Sequence, residues 1–295
     1  MPVSRYKLAI VGGDLRELYL AGHFLSQGHL INLCGFDQFP EPPVSNIEDY
    51  RLALTDVDAV ILPLAGTTEA LEPKAKFSAC PPKLNHEFFA SVPAQAPVFV
   101  GWARDEMRED AARANCKLIE IAEDDELAIL NSIPTAEGAI AIAMENTAIT
   151  VHGSQALVFG MGRCGFSLAR MLKGIGAETT VVARKAADLA RAYEAGLNYC
   201  HYSDLSQIIS NQELIFNTVP KLVLDAELLQ AATNCQVIVD IASGRGGTDF
   251  EAARELGLQA ILAPGLPGKV APVTAGKILT QVYPRLLKEH GVSGR

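Results

Sequence analysis

Short apolar runs alternate with stretches of helical periodicity along almost the whole chain, a pattern that predicts an α/β fold with mainly parallel sheets. In the first half the pattern predicts strands at Lys7–Val11, Leu30–Phe36, Asp58–Leu62, Val98–Gly101 and Lys117–Ile121. Helices are predicted at Leu15–Ser26, near Leu84–Ser91 and at Asp105–Asn115. In the second half the strands read Gln155–Phe159, Glu178–Ala183, Leu197–Tyr199, Leu214–Asn217, Val237–Ile241 and Leu258–Leu262. A helix is predicted from Phe166 to Lys173, ended by Gly174. A joining helix is predicted over Ser132–Thr147, with Ser132 as its cap and Pro134 in its first turn. These elements divide the chain into two Rossmann-like domains with a cleft between them. Residues 1–130 form the substrate or interaction domain, 131–150 the linker helix and 151–271 the dinucleotide domain. Residues 272–295 form a helix that returns to the first domain.

With 295 residues, 49% of them hydrophobic, the chain is long enough for two cores. The net charge of −9 argues against nonspecific nucleic-acid binding and requires any acidic ligand to find a locally basic pocket. The six cysteines are scattered, without CxxC or metal-ligand spacing, so they read as reduced, mostly core residues of a cytoplasmic protein with no metal. No signal peptide is visible. The most apolar helical run, Ala136 to Ile149, carries Glu137 and Glu145 and is too short to span a membrane, so none is expected as a partner.

The sharpest motif is Gly160-Met161-Gly162-Arg163-Cys164-Gly165, set between a predicted strand and a predicted helix. The first glycine of such a loop makes the turn, the second admits a pyrophosphate and the third packs helix on strand. The helix N-terminus supplies N–H donors and a partial positive charge. Arg184 and Lys185 stand at the end of the second strand, where an NAD site usually places an acid, and this suits the 2′-phosphate of NADP. Cys164, near that helix N-terminus, could be acidified. The first half has a different loop, Gly12-Gly13-Asp14-Leu15-Arg16, with Asp14 where phosphates would sit, so it should bind something else.

Three further loops follow predicted strands of the second half. Asn217-Thr218-Val219-Pro220 is placed to hold the nicotinamide ribose, or is an ordinary turn. Asp240 to Gly247 carries Arg245, a candidate for a substrate carboxylate or a solvated surface arginine. Ala263 to Pro272, with Pro264 toward the cofactor, reads as a fixed loop whose one charge is Lys269. Lys269 is a candidate carboxylate partner or acid–base group, or an exposed hinge lysine. Arg16 could face a ligand or make a salt bridge. His201 and His86 are possible proton-transfer groups, more readily read as structural.

The set of segments resembles the dipicolinate synthase A-subunit family of spore-forming bacteria. The matching stretches are Val11 to Arg16, Asn131-Ser132-Ile133-Pro134-Thr135-Ala136-Glu137-Gly138, the Gly160 loop, Asp240 to Gly247 with Asp249-Phe250, and Ala263 to Gly276. The resemblance spans essentially the full chain, with the proline–glycine segment its most specific element. It implies NADP-dependent oxidation of 4-hydroxytetrahydrodipicolinate, or of the derived dihydrodipicolinate, to pyridine-2,6-dicarboxylate. It also implies a partner, the flavoprotein-like B-subunit of dipicolinate synthase, and the mother cell of a sporulating bacterium. A homo-oligomer is expected as well. A small dicarboxylate needs cationic or N–H donors at both ends. Arg16, Ser132, Thr135, Arg245 and Lys269 are the candidates, with Lys269 and Arg245 closest to the chemistry.

One rival is a 2-hydroxy-acid or amino-acid dehydrogenase on the same architecture. The hydroxy-acid enzymes usually carry a catalytic histidine after the last strand, and this chain has none between His201 and His290. The other rival is a non-catalytic NADP-binding protein whose partner does the chemistry.

Overall fold

The computed structural model describes residues 5–294. Two units emerge, one running to Leu127 and resuming at Ala271, the other from Ala128 to Val270. The first holds β1 (Lys7–Val11), α1 (Leu15–Ser26), β2 (Leu30–Cys34), α2 (Tyr50–Ala53), β3 (Ala59–Ile61), α3 (His86–Ala90), β4 (Val98–Val100), α4 (Asp105–Arg113) and β5 (Leu118–Glu120). Its strands are all parallel, in the order β2-β1-β3-β4-β5. Leu8, Ala9, Ile10 and Val11 are fully buried, as expected for an inner strand of a parallel sheet covered on both faces. That double burial is why the strand reads as a continuous apolar run.

Next comes α5 (Asp125–Glu145), which begins in the first unit and continues into the second. The second unit goes on with β6 (Gln155–Phe159), α6 (Arg163–Ile175), β7 (Glu178–Ala183), α7 (Ala186–Glu194), β8 (Asn198–His201), β9 (Leu214–Asn217), α8 (Ala226–Ala231), β10 (Val237–Asp240), α9 (Phe250–Glu255), β11 (Ala260–Leu262) and α10 (Leu266–Val270). Its six parallel strands run β11-β10-β9-β6-β7-β8, so the chain reverses direction between β6 and β9. This is the doubly wound dinucleotide order. Successive residues of β6 feed opposite faces: Ala156 and Val158 enter one core, Leu157 and Phe159 the other.

The last helix, α11 (Pro272–Glu289), belongs to the first unit and packs along α1. The two helices approach closely at Gly276, where an added Cβ would stand 2.6 Å from the Cβ of Tyr19. Pro272 opens α11, since its fixed φ suits a first turn. Arg285 ties α11 down: its Nε donates to Glu126 at 2.7 Å and Nη2 to Asp124 at 2.7 Å. Despite its desolvation, the Asp124 carboxyl is held below the ordinary aspartate range by Arg285 and by N–H donors. A depressed folded-state pKa gives stability that is present above the unfolded value and is lost as the pH falls through the folded one. Thermal melting followed by circular dichroism should therefore show Arg285→Ala less stable at neutral pH, with the difference shrinking as the pH falls through the Asp124 titration.

The joining helix differs from the sequence expectation. It begins at Asp125, seven residues before Ser132, and Asp124 Oδ1 accepts the Leu127 N–H at 3.0 Å at its start. Ser132 is thus no cap. Pro134 lies inside the helix and leaves the Leu130 carbonyl without its N–H partner. Around it, side chains bond to backbone: Ser132 Oγ donates to the Ile129 carbonyl at 2.6 Å and Thr135 Oγ1 to that of Asn131 at 2.7 Å. The helix is long and apolar enough to cross a membrane by length and composition, a correction to the shorter run read from sequence. Ala136, Ala139, Ile140 and Ala143 are nevertheless consumed by the core of the second unit.

Other boundaries move for local reasons. The helix after the glycine loop starts at Arg163 and runs through Gly174 to Ile175, where Gly176 takes the left-handed conformation (φ +99°) that ends it. The Ala263–Pro272 stretch is not a fixed loop but contains α10 and enters α11.

Candidate active site

The glycine loop lies at the carboxyl end of β6, against the end of β9. Gly160 has φ +93°, and a Cβ there would stand 2.7 Å from Thr218 Oγ1, so both turn and packing require glycine. A Cβ on Gly165 would fall on the Gly160 carbonyl oxygen, so the glycine lets α6 pack directly on the loop. Gly162 is different. It has ordinary extended backbone, is exposed, and an added Cβ would meet nothing within 4 Å. The space in front of it is open to a ligand. Gly162 is also the N-cap of α6, and it supplies no side-chain cap bond to the helix start. An uncapped N-terminus of this length presents unsatisfied donors and the positive end of the helix dipole, the chemistry that binds a pyrophosphate.

The structure assigns the remaining members of the loop more narrowly. Met161 turns its side chain into the core, so only its backbone borders the open space. Burial pushes the Cys164 thiol up, against a smaller opposing effect of Arg163, which reverses the expectation of an acidified cysteine. All six cysteines are free thiols.

Arg184 and Lys185 follow β7 directly, and both are exposed. Neither forms an ion pair among the described residues. His201, at the end of the neighbouring β8, holds this turn through a 3.2 Å contact between Nε2 and the Arg184 carbonyl. Its other ring nitrogen stands 2.8 Å from Ser203 Oγ.

Thr218 has a role the sequence did not reveal. Its hydroxyl donates to the Phe159 carbonyl at 2.7 Å, so it buttresses the glycine turn from beneath. Val219 is half-buried, while Pro220 and Pro264 are exposed beyond their strands.

Asp240 requires a correction. It is completely buried and accepts from Asn217 Nδ2 (2.9 Å), Gly247 N (2.8 Å), Thr248 Oγ1 (2.8 Å) and Ala242 N (3.0 Å). Three of these donors meet Oδ2 and one meets Oδ1, so the carboxylate organises the loops after β9 and β10, and its complete burial keeps it from a cofactor. The loop it organises carries Arg245 outward, exposed. Lys269 lies on α10, also exposed.

Three substrate candidates find their partners inside the protein. Arg16 is 6% exposed and makes a two-pronged bond to Asp14, with Nε to Oδ1 at 2.9 Å and Nη2 to Oδ2 at 2.8 Å. Asp14 itself caps α1, in a capping box completed by the Glu17 carboxylate on the Asp14 N–H. The N-terminus that is open to phosphate in the second unit is therefore satisfied by its own acids in the first. Ser132 is fully buried, with its Oγ 2.6 Å from that of Ser167. The Thr135 hydroxyl is held by the Asn131 carbonyl, and the Oδ1 of Asn131 is a buried acceptor with no partner. His86 opens α3 in the first unit.

Comparison with known proteins agrees with this geometry. Residues 7–122 match the family of dipicolinate synthase A-subunit N-terminal domains. Residues 135–252 match the D-isomer specific 2-hydroxyacid dehydrogenase NAD binding domain, so a pyridine-nucleotide domain of an oxidoreductase is present. The chain is 39% identical over 287 residues to the dipicolinate synthase A-subunit of Bacillus subtilis (strain 168), covering 96% of each protein. The crystal structure of the dipicolinate synthase A-subunit from Bacillus halodurans superposes with a TM-score of 0.90 at 38% identity, covering 96% of this chain and 97% of that one. The corresponding Bacillus subtilis structure gives 0.89 at 38% identity, over 98% and 97%. With its glycine cradle and almost all of its length matched, the chain belongs to the dipicolinate synthase A-subunit family.

Proposed function

We propose that this protein catalyses the NADP-dependent oxidation of dihydrodipicolinate, or of 4-hydroxytetrahydrodipicolinate after loss of water, to pyridine-2,6-dicarboxylate. It does so with the B-subunit of dipicolinate synthase, in the cytoplasm of a sporulating cell. The observation that carries the cofactor assignment is the open, uncapped N-terminus of α6 behind Gly162. Arg184 and Lys185, without ion pairs among the described residues, stand at the end of the adjacent strand. When bound, the nicotinamide ring supplies a hydride acceptor. The start of α6 at Gly162 would hold the pyrophosphate, and Arg184 with Lys185 would meet the 2′-phosphate. The Thr218–Pro220 turn and Pro264 border the ribose and nicotinamide. Arg245 and Lys269, exposed beyond β10 and β11, pair with substrate carboxylate.

The reaction removes one hydride and one proton from the ring and leaves an aromatic product. The chemical drive lies in that aromaticity, so the protein's task is mainly to position the two reactants.

Arg184→Ala should weaken NADP by tenfold to a hundredfold, the value of about 1.5–3 kcal/mol for a charge-assisted phosphate contact, while NAD binding barely changes. Calorimetric titration with both nucleotides checks this, and equal losses would sink the 2′-phosphate assignment. Arg245→Ala and Lys269→Ala should raise KM for the dicarboxylate and leave NADP affinity intact. Unchanged turnover in both variants would remove them from the site. Absorbance at the nicotinamide band, with this chain alone and then with the B-subunit added, tests the reaction itself. Tight NADP binding with no signal in either case would instead favour a sensing protein.

A further inference from the structure

The first unit carries a second constellation, outside the glycine cradle, on the loops that follow β3 and β4. These two strands are parallel neighbours, so their following loops emerge at the same edge of the sheet. In the order β2-β1-β3-β4-β5 the direction of winding reverses between β1 and β3, and ligands of open α/β sheets bind beyond the strand ends at such a reversal. The loops run backbone against backbone: a Cβ on Gly101 would collide with the Leu64 carbonyl. The indole of Trp102 lies close enough against Gly66 that a Cβ there would stand 2.7 Å from its Nε1.

Two cations meet this indole. Arg104 has its guanidinium carbon 5.6 Å from the ring centre, and Lys74 its ammonium 5.8 Å away. Neither forms an ion pair among the described residues. Both are held in place by backbone bonds. Arg104 Nε donates to the Thr68 carbonyl at 3.0 Å, which leaves the outer edge of its fork available. The Lys74 N–H donates to the Gly66 carbonyl at 3.0 Å. Thr67, on the same loop, has a buried hydroxyl with no partner. Trp102 is the one tryptophan of the chain and is 38% exposed. Lys74 and Arg104 thus stand beside an aromatic face that reaches solvent, in a protein of net charge −9.

We infer that Lys74, Trp102 and Arg104 form a carboxylate site for a flat ring acid, whose carboxylate bridges the two cations while its ring lies against the indole. That the ring acid is a pyridine dicarboxylate rests on the function proposed above; the site itself does not. The guanidinium fork and ammonium supply charge-assisted donors, and the indole supplies a planar apolar surface.

The single tryptophan makes the test direct. Pyridine-2,6-dicarboxylate titrated into the full-length protein without nucleotide should change Trp102 fluorescence saturably. Calorimetry should show Kd raised about tenfold or more in Lys74→Ala and in Arg104→Ala, with partial recovery in Arg104→Lys. Inorganic phosphate serves as the comparison anion and should bind much more weakly. Binding that is unchanged in both alanine variants overturns the site, as does equal affinity for phosphate or no binding at all. The function stands apart from these outcomes. Unchanged calorimetric affinity in both variants, in a protein that reduces NADP normally, would refute the site and keep the function. Loss of dicarboxylate binding in the variants of a protein that never reduces NADP would keep the site and refute the function.

Discussion

Gly162→Asp is expected to abolish NADP binding in a protein that folds at least as well as before. The backbone at Gly162 is extended and the space beyond its Cα is open, so an aspartate side chain enters without strain. That carboxylate would accept the free N–H groups of α6 and complement the helix dipole, a gain of up to about 1 kcal/mol. It would at the same time occupy and repel the pyrophosphate. The loss should reach at least about a hundredfold in Kd, or roughly 2.7 kcal/mol. Thermal melting and fluorescence titration with NADPH measure the two effects separately. An unchanged Kd would show that the phosphates lie elsewhere. Gly165→Ala makes the contrast. Its Cβ would press on the Gly160 carbonyl oxygen, so melting temperature should fall along with affinity, by about 1–3 kcal/mol of stability.

Asp240→Ala should be the most destabilising substitution among the residues considered for the site. It leaves two backbone N–H groups, the Asn217 amide and the Thr248 hydroxyl without their shared acceptor, all at a fully buried position. Removing one member of such a network costs about 3–5 kcal/mol, which corresponds to roughly 10 °C in melting temperature for a domain of this size. Asp240→Asn keeps the shape but turns an amide N–H toward donors, and should lose a smaller part. NADP affinity measured well below the melting point should change little. A variant with normal stability and lost affinity would return Asp240 to the cofactor.

Much of the architecture was legible before any coordinates. β6, β7 and β9 begin and end where the predicted runs do, because inner strands of a sheet covered on both faces are built mainly of apolar and β-branched residues. Helices α2, α7, α8 and α9 escaped notice. They are short and bury few side chains (α7 buries only Ala192), so no apolar stripe marks them. The helix over Ser132 was placed too late because a serine before a proline imitates a start signal. The true start is an acidic run whose capping aspartate carries no proline nearby.

For the site, the glycine loop could be read in one dimension because its three requirements are local: a turn, an opening and a close approach within six residues. Arg184 and Lys185 could be placed for the same reason, directly after a strand. The functions of Asp240, Thr218, Arg16 and Ser132 could not. Each is a plausible ligand group by residue type, yet each is already bonded inside the protein: Asp240, Thr218 and Ser132 meet Gly247, Phe159 and Ser167, which folding brings near, and Arg16 is taken by Asp14 two residues before it. Lys74, Trp102 and Arg104 were missed for the converse reason, since only the parallel pairing of β3 and β4 brings their loops together. By itself, then, the amino-acid order determined the α/β class, the six-stranded dinucleotide unit and the glycine turn after β6, all of which follow from periodicity and short-range backbone demands. Which polar groups remain free to meet a ligand was decided mainly by the tertiary structure, because a donor is available only if nothing across the fold has already taken it.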